Sequence, residues 1–351
     1  MSLLASASPQ AAKDAGLRYV SCSEPGIVRL KRGKHFDYRL PNGKPLRRAR
    51  ELTRIRELAL PPAWTNVWIC RDPRGHLLAT GFDAKGRKQY RYHRRWRWVR
   101  DAAKYDDLLQ LAERLPRLRR QLTRDLALPR LSREKVLATV VAVMARTASR
   151  VGNDRYATDN GSFGLTTLLD RHARITGGKV EFSFKGKGGK PYRASVADRR
   201  LAAIVKRCRD IPGQRLFQYV DEAGDYQAVS SSDVNDYLKR ATGIEVTAKT
   251  FRTWSATLLA TSELRSRPAP KSQAALKRQV NEVLELVAHH LGNTAAVCRK
   301  SYVDPRVIEA HAAGKLQRCA ARANKSSGLT RAECELVAIL EAARQAERKA
   351  A

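Results

Sequence analysis

Residues 289–306 read HHLGNTAAVCRKSYVDPR, and they connect the end of a predicted helix to a tyrosine. The helix before them has apolar residues at three- and four-residue steps, which are Val280, Val283, Leu284 and Val287. Gly292 is typical of the residue that ends such a helix. The neighbours of Tyr302 in sequence include three cations, Arg299, Lys300 and Arg306. Because positive charge favours the phenolate, Tyr302 is a candidate nucleophile for phosphate.

The charge of the chain points to a polyanionic partner. Its 351 residues include 68 Lys and Arg against 34 Asp and Glu, a formal net charge of +34. A positive charge of this size opposes compaction of the free chain. Proteins that carry such a charge commonly bind nucleic acid, because neutralising its phosphates releases counterions. A hydrophobic fraction of 43% is enough for a packed core. Nucleic acid is therefore the predicted partner, and a membrane surface is the weaker alternative.

Several classes of cofactor have no sequence signature here. The six cysteines are far apart and form no CxxC pair, as in a reduced intracellular protein. No HExxH motif is present, and GKGGK at 186–190 lacks the GxxxxGK[ST] frame of a phosphate loop. The sequence contains no run of about 20 apolar residues, which is the length needed to cross a bilayer. The sequence therefore predicts no metal, no nucleotide cofactor and no transmembrane segment.

The organisation along the chain predicts an α+β protein. We expect a flexible leader at 1–20, a β-rich N-terminal domain at 21–98, a charge-rich linker or helical connection at 99–130 and a mostly helical catalytic domain at 131–351 with a small antiparallel sheet. Asn42-Gly43 and the segment Asp72–Gly75 each predict a hairpin turn in the β-rich domain.

Residues 85–98, KGRKQYRYHRRWRW, combine seven Lys or Arg with four Tyr or Trp. Cations supply phosphate contacts and aromatic rings can stack on bases or sugars. A strand with buried aromatics and exposed cations is the simpler interpretation. Both fit a strand with one face on DNA.

Local signals in the larger domain place four further features. Ser132 is a predicted cap for a helix that leads to Arg150, with Gly152 as its stop. Residues 179–196 predict two strands with Lys187 at the turn. Arg252 lies in TAKTFRTW, with Lys249 one helical turn before it. Thr330 and Glu333 predict a capping box for a last helix.

Five segments together resemble one family, the type IB DNA topoisomerases in their short bacterial and poxvirus-like form. They are KGRKQYRY (85–92), SRVGND (149–154) with GLTTL (164–168), VEFSFKGKGG (180–189), TAKTFRTW (247–254) and GNTAAVCRKSYVDP (292–305). The resemblance covers nearly the whole chain beyond the leader, with the motifs in the family's order.

The resemblance implies a role for each matching residue. Tyr302 would be the nucleophile, Arg150 and Arg252 the phosphate-stabilising arginines, and Lys187 the general acid. Many members carry a histidine where this chain has Asn293, which can donate a hydrogen bond but cannot carry the proton. The implied DNA-contacting residues are Lys85, Arg87, Lys88, Gln89, Tyr90, Tyr92 and Lys249.

The implied activity is relaxation of positive and negative supercoils through a transient 3′-phosphotyrosyl bond. The resemblance implies no ATP, metal or other cofactor. It also implies a monomer that closes as a clamp around duplex DNA, in the cytoplasm of a bacterium at the nucleoid.

Two other functions fit parts of this pattern. A tyrosine recombinase or integrase uses a similar Arg, Lys, Arg and Tyr set, although its second arginine usually follows HxxR, and Lys249 stands in place of that histidine here. A non-enzymatic basic DNA- or RNA-binding protein accounts for the charge alone, and it predicts no covalent adduct.

Overall fold

A computed structural model describes residues 9–33 and 35–350, with side chains described except at 98–104, 106, 348 and 350. The chain divides into two compact units, residues 1–106 and 107–351. Within the described residues, small antiparallel sheets come first and helices dominate afterwards, which confirms the predicted α+β class. No helix among these residues has the length and apolarity needed to cross a membrane.

The N-terminal unit is built on one antiparallel sheet. Its elements are α1 (Pro9–Asp14), β1 (Ile27–Arg32), β2 (His35–Arg39), α2 (Ala49–Glu57), β3 (Thr65–Ile69), β4 (Leu77–Phe82) and β5 (Lys88–Tyr92). The strand order is β2-β1-β3-β4-β5. Helix α2 buries Ile55 against Ile27, Val67 and Ile69 of the sheet, which forms the main core of the unit.

One of the two predicted hairpins joins two full strands, and the other is a short hairpin with one antiparallel bridge. Strands β3 and β4 pair on either side of Asp72–Gly75, as expected. At Asn42-Gly43 the chain does turn, with the Gly43 amide donating to the Leu40 carbonyl at 2.9 Å. Pairing beyond this turn is a single bridge between Arg39 and Pro45. The Leu40 amide donates to the Lys44 carbonyl and the Leu46 amide donates to the Tyr38 carbonyl, each at 2.9 Å, and these two bonds form the bridge.

The predicted leader is too long. Residues 1–8 lie outside the described part of the chain, but residues 9–14 form α1. Ala12 and Leu17 are buried against Trp96, and Val20 packs against Cys70 and Leu77. These contacts join residues far apart in sequence, so the local composition of residues 1–20 cannot predict them.

The charge-rich segment predicted as a linker or helical connection belongs to one long helix. Strand β5 ends at Tyr92, and α3 (Arg94–Leu126) begins two residues later. Beyond residue 106 this helix buries leucines at three- and four-residue steps, which are Leu108, Leu111, Leu115 and Leu118. The many surface cations of this helix make its composition look polar, so composition alone does not reveal the spacing of the buried leucines.

The C-terminal unit continues with ten α-helices and five short strands within the described residues. They are α4 (Arg133–Thr147), α5 (Asp154–Asn160), β6 (Ala173–Thr176), β7 (Lys179–Lys185), β8 (Pro191–Ala197), α6 (Arg199–Arg209), β9 (Gln218–Val220), β10 (Tyr226–Ala228), α7 (Ser231–Thr242), α8 (Ala248–Arg265), α9 (Gln273–Leu291), α10 (Ala295–Ser301), α11 (Pro305–Ala312), α12 (Leu316–Ala321) and α13 (Arg331–Ala350). Strands β6, β7 and β8 form an antiparallel sheet, and β9 pairs with β10.

Helix α4 is the buried centre of this unit. Ser132 caps it, as predicted, by accepting a hydrogen bond from the Lys135 amide. It contacts α6, α7 and α8, so its whole middle is covered. The predicted stop at Gly152 is wrong, because α4 ends at Thr147 and Ala148 takes the left-handed conformation with φ of 50°.

The last helix begins as the sequence predicts. The Thr330 amide donates to Glu333 at 2.8 Å, and the Glu333 amide donates back to the Thr330 hydroxyl at 3.3 Å. Glu333 also accepts from Arg119 of α3 at 2.7 Å. The capping box therefore also ties α13 to α3.

Candidate active site

The C-terminal unit contains a pocket of about 310 Å³ that collects four of the five predicted catalytic side chains, all but Asn293. Its lining includes Arg150, Tyr156, Lys187, Lys249, Arg252 and Tyr302. These residues come from four separate stretches of the chain. The pocket therefore combines four cations with two phenols, those of Tyr156 and Tyr302.

Two glycines fix the loop that carries Arg150. A Cβ on Gly164 would lie 2.5 Å from the Gly152 backbone, so the two segments can meet only because both residues lack side chains. The Leu165 amide donates to the Arg150 carbonyl at 2.9 Å, and the Thr166 amide donates to the next carbonyl. Gly152 therefore serves close packing of the site loop and not the end of α4.

Lys187 lies where the sequence predicts, in a 3₁₀ turn between β7 and β8. Its side chain is exposed at the pocket rim. The strands pair in register from Lys179 with Ala197 to Lys185 with Pro191. At the end of β7 the Phe163 amide donates to the Lys185 carbonyl at 2.7 Å, which attaches the hairpin to the segment that holds Arg150.

Arg252 is buried, with 4% of its surface exposed. It lies on α8 and donates to the carbonyl of Ala148 and, at 2.9 Å, to the carbonyl of Leu291. One guanidinium thus holds together the ends of α4 and α9. Its Nε atom is buried and has no acceptor among the described residues.

Asn293 follows the end of α9, where Gly292 closes the helix with φ of 60°. Its Oδ1 accepts a hydrogen bond from Arg150, and its Nδ2 is buried with no acceptor in the described part of the chain. Arg150 also donates to the Gly292 carbonyl at 3.4 Å. Asn293 and Arg252 therefore each hold a buried donor ready for an acceptor that the described residues do not supply.

The cations nearest Tyr302 in sequence are not the ones that surround it. Arg299 and Lys300 are exposed, while Arg306 forms a buried ion pair with Asp304 at 2.8 Å. Instead, the guanidinium carbon of Arg252 lies 5.3 Å from the centre of the Tyr302 ring. The fold therefore surrounds Tyr302 with cations from other segments of the chain and not with its neighbours in sequence.

The backbone of Tyr302 is fixed from two sides. Its amide donates to the Cys298 carbonyl of α10 at 2.9 Å. The Thr257 hydroxyl of α8 donates to the Tyr302 carbonyl at 3.1 Å and accepts from the Asp304 amide at 3.2 Å. Because α8 also carries Arg252, one helix positions both the phenol and its cation.

The charges in the pocket favour the phenolate of Tyr302. Burial alone raises the pKa of this phenol, but the charge and contact of Arg252, with the charges of Arg150 and Lys249, lower it below the ordinary 10.0. Burial and then the charge of Arg252 also lower the pKa of Arg150. The site therefore has the electrostatics of an anion-binding pocket.

The predicted DNA-contacting residues fall into two groups. Lys249 lines the pocket, and the others lie on or just before β5. Asp83 holds Arg87 and Gln89 at 2.8 and 2.9 Å, and hydrogen bonding to Arg87 helps lower the pKa of Asp83 to about 2. The exposed members of the set are Lys85, Arg87, Lys88 and Tyr90. Tyr90 and Tyr92 stack with ring centres 6.0 Å apart. Tyr90 is nevertheless 48% exposed at the surface.

Sequence analysis missed three residues of the site. Tyr156 on α5 lines the pocket, and its position six residues after Arg150 is the one local hint. Thr257 and Tyr192 each follow a motif by three residues, but no local signal marks them, and their contacts with the site appear only in the folded chain.

The donor set of the pocket is cationic and phenolic. Among the described residues, no group of three or more His, Cys, Asp or Glu side chains could hold a metal ion. The pocket thus defines a class of site, in which a tyrosine with a lowered pKa lies among two arginines and two lysines, a donor set that suits an anion such as phosphate.

Comparisons with known proteins agree with this class. Residues 89–326 match the family model for the catalytic core of eukaryotic DNA topoisomerase I, and residues 35–83 match the N-terminal domain of bacterial DNA topoisomerase IB. DNA topoisomerase 1B of Acanthamoeba polyphaga mimivirus is 33% identical over 292 residues, 81% of this chain and 87% of the relative. DNA topoisomerase 1B of vaccinia virus (strain Copenhagen) is 22% identical over 236 residues, 66% and 72% of the two chains.

A solved structure of the XerH site-specific recombinase shares a TM-score of 0.38 and 15% identity over 57% of this chain and 51% of the other. That likeness is too slight to bear on function. The family models and the mimivirus relative together decide the assignment. The chain belongs to the type IB DNA topoisomerases, and it is therefore an isomerase.

Proposed function

We propose that this enzyme relaxes positive and negative supercoils in duplex DNA through a covalent bond between Tyr302 and a DNA 3′-phosphate. The observation that carries the proposal is the pair of buried donors, Arg252 Nε and Asn293 Nδ2, beside a phenol whose pKa is lowered. A phosphodiester supplies the acceptors that these donors lack. It is also the electrophile that a phenolate attacks.

In the cleavage step, the Tyr302 oxygen forms a bond to phosphorus and the bond from phosphorus to the 5′-oxygen breaks. The phenol proton leaves to solvent, and Lys187 gives a proton to the departing 5′-oxygen. Arg150 and Arg252 offer forked donors to the nonbridging oxygens, where negative charge gathers in the transition state. Asn293 adds a neutral donor to the same oxygens.

The reverse reaction closes the strand. The 5′-hydroxyl attacks the phosphotyrosine, returns its proton to Lys187 and releases Tyr302. The 3′-phosphotyrosyl ester keeps the energy of the broken ester, so neither ATP nor another cofactor enters the cycle. Fixed guanidinium groups provide the charge that a metal ion provides in other phosphoryl-transfer sites, and we expect activity in EDTA.

Between the two steps, the DNA beyond the break rotates and loses supercoils. We propose that the enzyme acts as a monomer that clamps the duplex, with β5 of the N-terminal unit contacting one part of it. The exposed Lys88 and Tyr90 support this contact, because cations and aromatic rings suit phosphates and bases. The net charge of +34 supports an intracellular place on DNA, the cytoplasmic nucleoid of a bacterium.

Replacing Lys187 by alanine is expected to slow cleavage by about 10²-fold or more, which is the range of general-acid catalysis. The physical reason is that an alkoxide is a poor leaving group without a proton. A substrate whose bridging 5′-oxygen is replaced by sulfur should restore most of the rate, because a thiolate leaves unprotonated. Single-turnover formation of the covalent adduct measures both rates. Lys190→Ala on the same hairpin is the matched control, and failure of the sulfur substrate to rescue Lys187→Ala would remove the general-acid role.

A further inference from the structure

The phenol of Tyr192 lies where three segments of the pocket meet. It stands on β8, five residues after Lys187. Its hydroxyl donates to the Thr147 carbonyl at 2.5 Å and accepts from the Ser149 hydroxyl at 3.1 Å. Its ring packs on Gly292, where an added Cβ would come within 3.0 Å of a ring carbon. One side chain therefore touches the loop before Arg150, the residue before Asn293 and the hairpin of Lys187.

This contact matters because the tip of the hairpin is otherwise exposed. Lys187, Gly188, Gly189 and Lys190 are all exposed, and the turn is built from glycines at positive φ. Three hydrogen bonds link the hairpin to the neighbourhood of Arg150, one from the Phe163 amide and two at the Tyr192 hydroxyl. The Phe163 amide holds the carbonyl at the end of β7 at 2.7 Å, and the Tyr192 hydroxyl holds the start of β8.

We propose that Tyr192 is the positioning residue for Lys187, holding the general acid in line with the phosphate that Arg150 and Arg252 bind. The inference rests on the function proposed above for Lys187. Tyr192 does not touch the reacting atoms itself, because its hydroxyl is buried and engaged by Thr147 and Ser149. It acts by fixing the direction of β8, and with it the position of the hairpin that carries Lys187.

Burial keeps Tyr192 in the form that this role requires. Burial raises the pKa of the Tyr192 phenol, against the lowering effects of Ser149 and the arginines. The hydroxyl is therefore a donor throughout the working range of pH. Tyr192 and Tyr302 are two phenols near the same arginines, and their opposite shifts separate the anchor from the nucleophile.

The test is Tyr192→Phe with two matched DNA substrates, one with the ordinary bridging 5′-oxygen and one with sulfur there. A displaced Lys187 should slow cleavage of the oxygen substrate by about tenfold or more, since misplacement by about 1 Å is costly in catalysis. Cleavage of the sulfur substrate needs no proton, so its rate should stay within about twofold of the wild type. DNA affinity should not change.

Tyr237→Phe is the control. Tyr237 is an equally buried tyrosine of the same unit, and its hydroxyl donates to Asp125 at 2.6 Å, away from the pocket. Its loss should leave both substrates at the wild-type rate. Ser149→Ala, which removes one bond to the same Tyr192 hydroxyl, gives a second test if Tyr192→Phe does not fold.

Each result has one meaning. Slowing confined to the oxygen substrate supports the proposal. Equal slowing on both substrates would place the damage at Tyr302 or the arginines, and no slowing on either would show that the hydroxyl does not position Lys187; both overturn it. If the wild type forms no adduct with either substrate, the proposed function fails and takes this inference with it.

Discussion

Tyr302→Phe is expected to abolish DNA cleavage while DNA affinity stays within about twofold of the wild type. The substitution removes one oxygen, and the tyrosine ring keeps its place beside Arg252 and its backbone bonds to Cys298 and Thr257. Without the oxygen no bond to phosphorus forms, so the loss should be complete and not graded. Binding depends mainly on charge and should follow the cations, which are unchanged.

Two measurements check this expectation together. Detergent trapping of the covalent adduct should give none with the variant, and a filter or mobility assay should give nearly equal affinities. Tyr156→Phe tests the second tyrosine of the pocket, which is exposed and carries no proposed chemistry, so it should still form the adduct. An adduct with Tyr302→Phe would show that another residue attacks the phosphate.

Arg252→Gln is expected to reduce single-turnover cleavage by about 10²- to 10³-fold, the usual cost of removing one donor to transition-state charge. Arg252 is 4% exposed, lies beside Tyr302 and carries the free Nε donor. Its charge also helps to lower the pKa of Tyr302. Losing that charge raises this pKa, so the phenolate appears only at higher pH, and the rate profile should shift to the alkaline side.

The pH profile separates this account from simple loss of stability. Arg240 is an exposed arginine on α7, and Arg240→Gln removes the same charge from the unit away from the pocket. That control should keep both the rate and the profile of the wild type. A slow Arg252→Gln enzyme with an unshifted profile would mean that Arg252 holds α4 and α9 together but does not tune Tyr302.

Features that depend on a few neighbouring residues could be predicted from the sequence. The cap at Ser132, the capping box of Thr330 with Glu333, the end of α9 at Gly292 and the hairpin around Lys187 each follow from local hydrogen bonding or local backbone geometry. The family resemblance then supplied the set of candidate catalytic residues, which the fold brings to one pocket except for Asn293, held beside it by Arg150.

Features that depend on distant partners could not be predicted in this way. Residues 9–20 have the composition of a leader, but Ala12 and Leu17 are buried against Trp96. Gly152 has the sequence position of a helix stop, but it packs against Gly164. The cations near Tyr302 in sequence do not surround its ring, and Arg306 among them pairs with Asp304. Arg252, some 50 residues earlier in the sequence, lies beside the ring instead. Long-range packing decides each of these, and periodicity and composition carry little information about it.

Relaxation of supercoiled plasmid tests the central claim most directly. Negatively and positively supercoiled DNA would be incubated with the enzyme in EDTA without nucleotide, and the reaction stopped with detergent so that the DNA end and the peptide of any adduct can be identified. The account predicts relaxation of both signs, with the protein on the 3′ end through Tyr302. Tight binding with neither relaxation nor adduct, or attachment at the 5′ end, would contradict it.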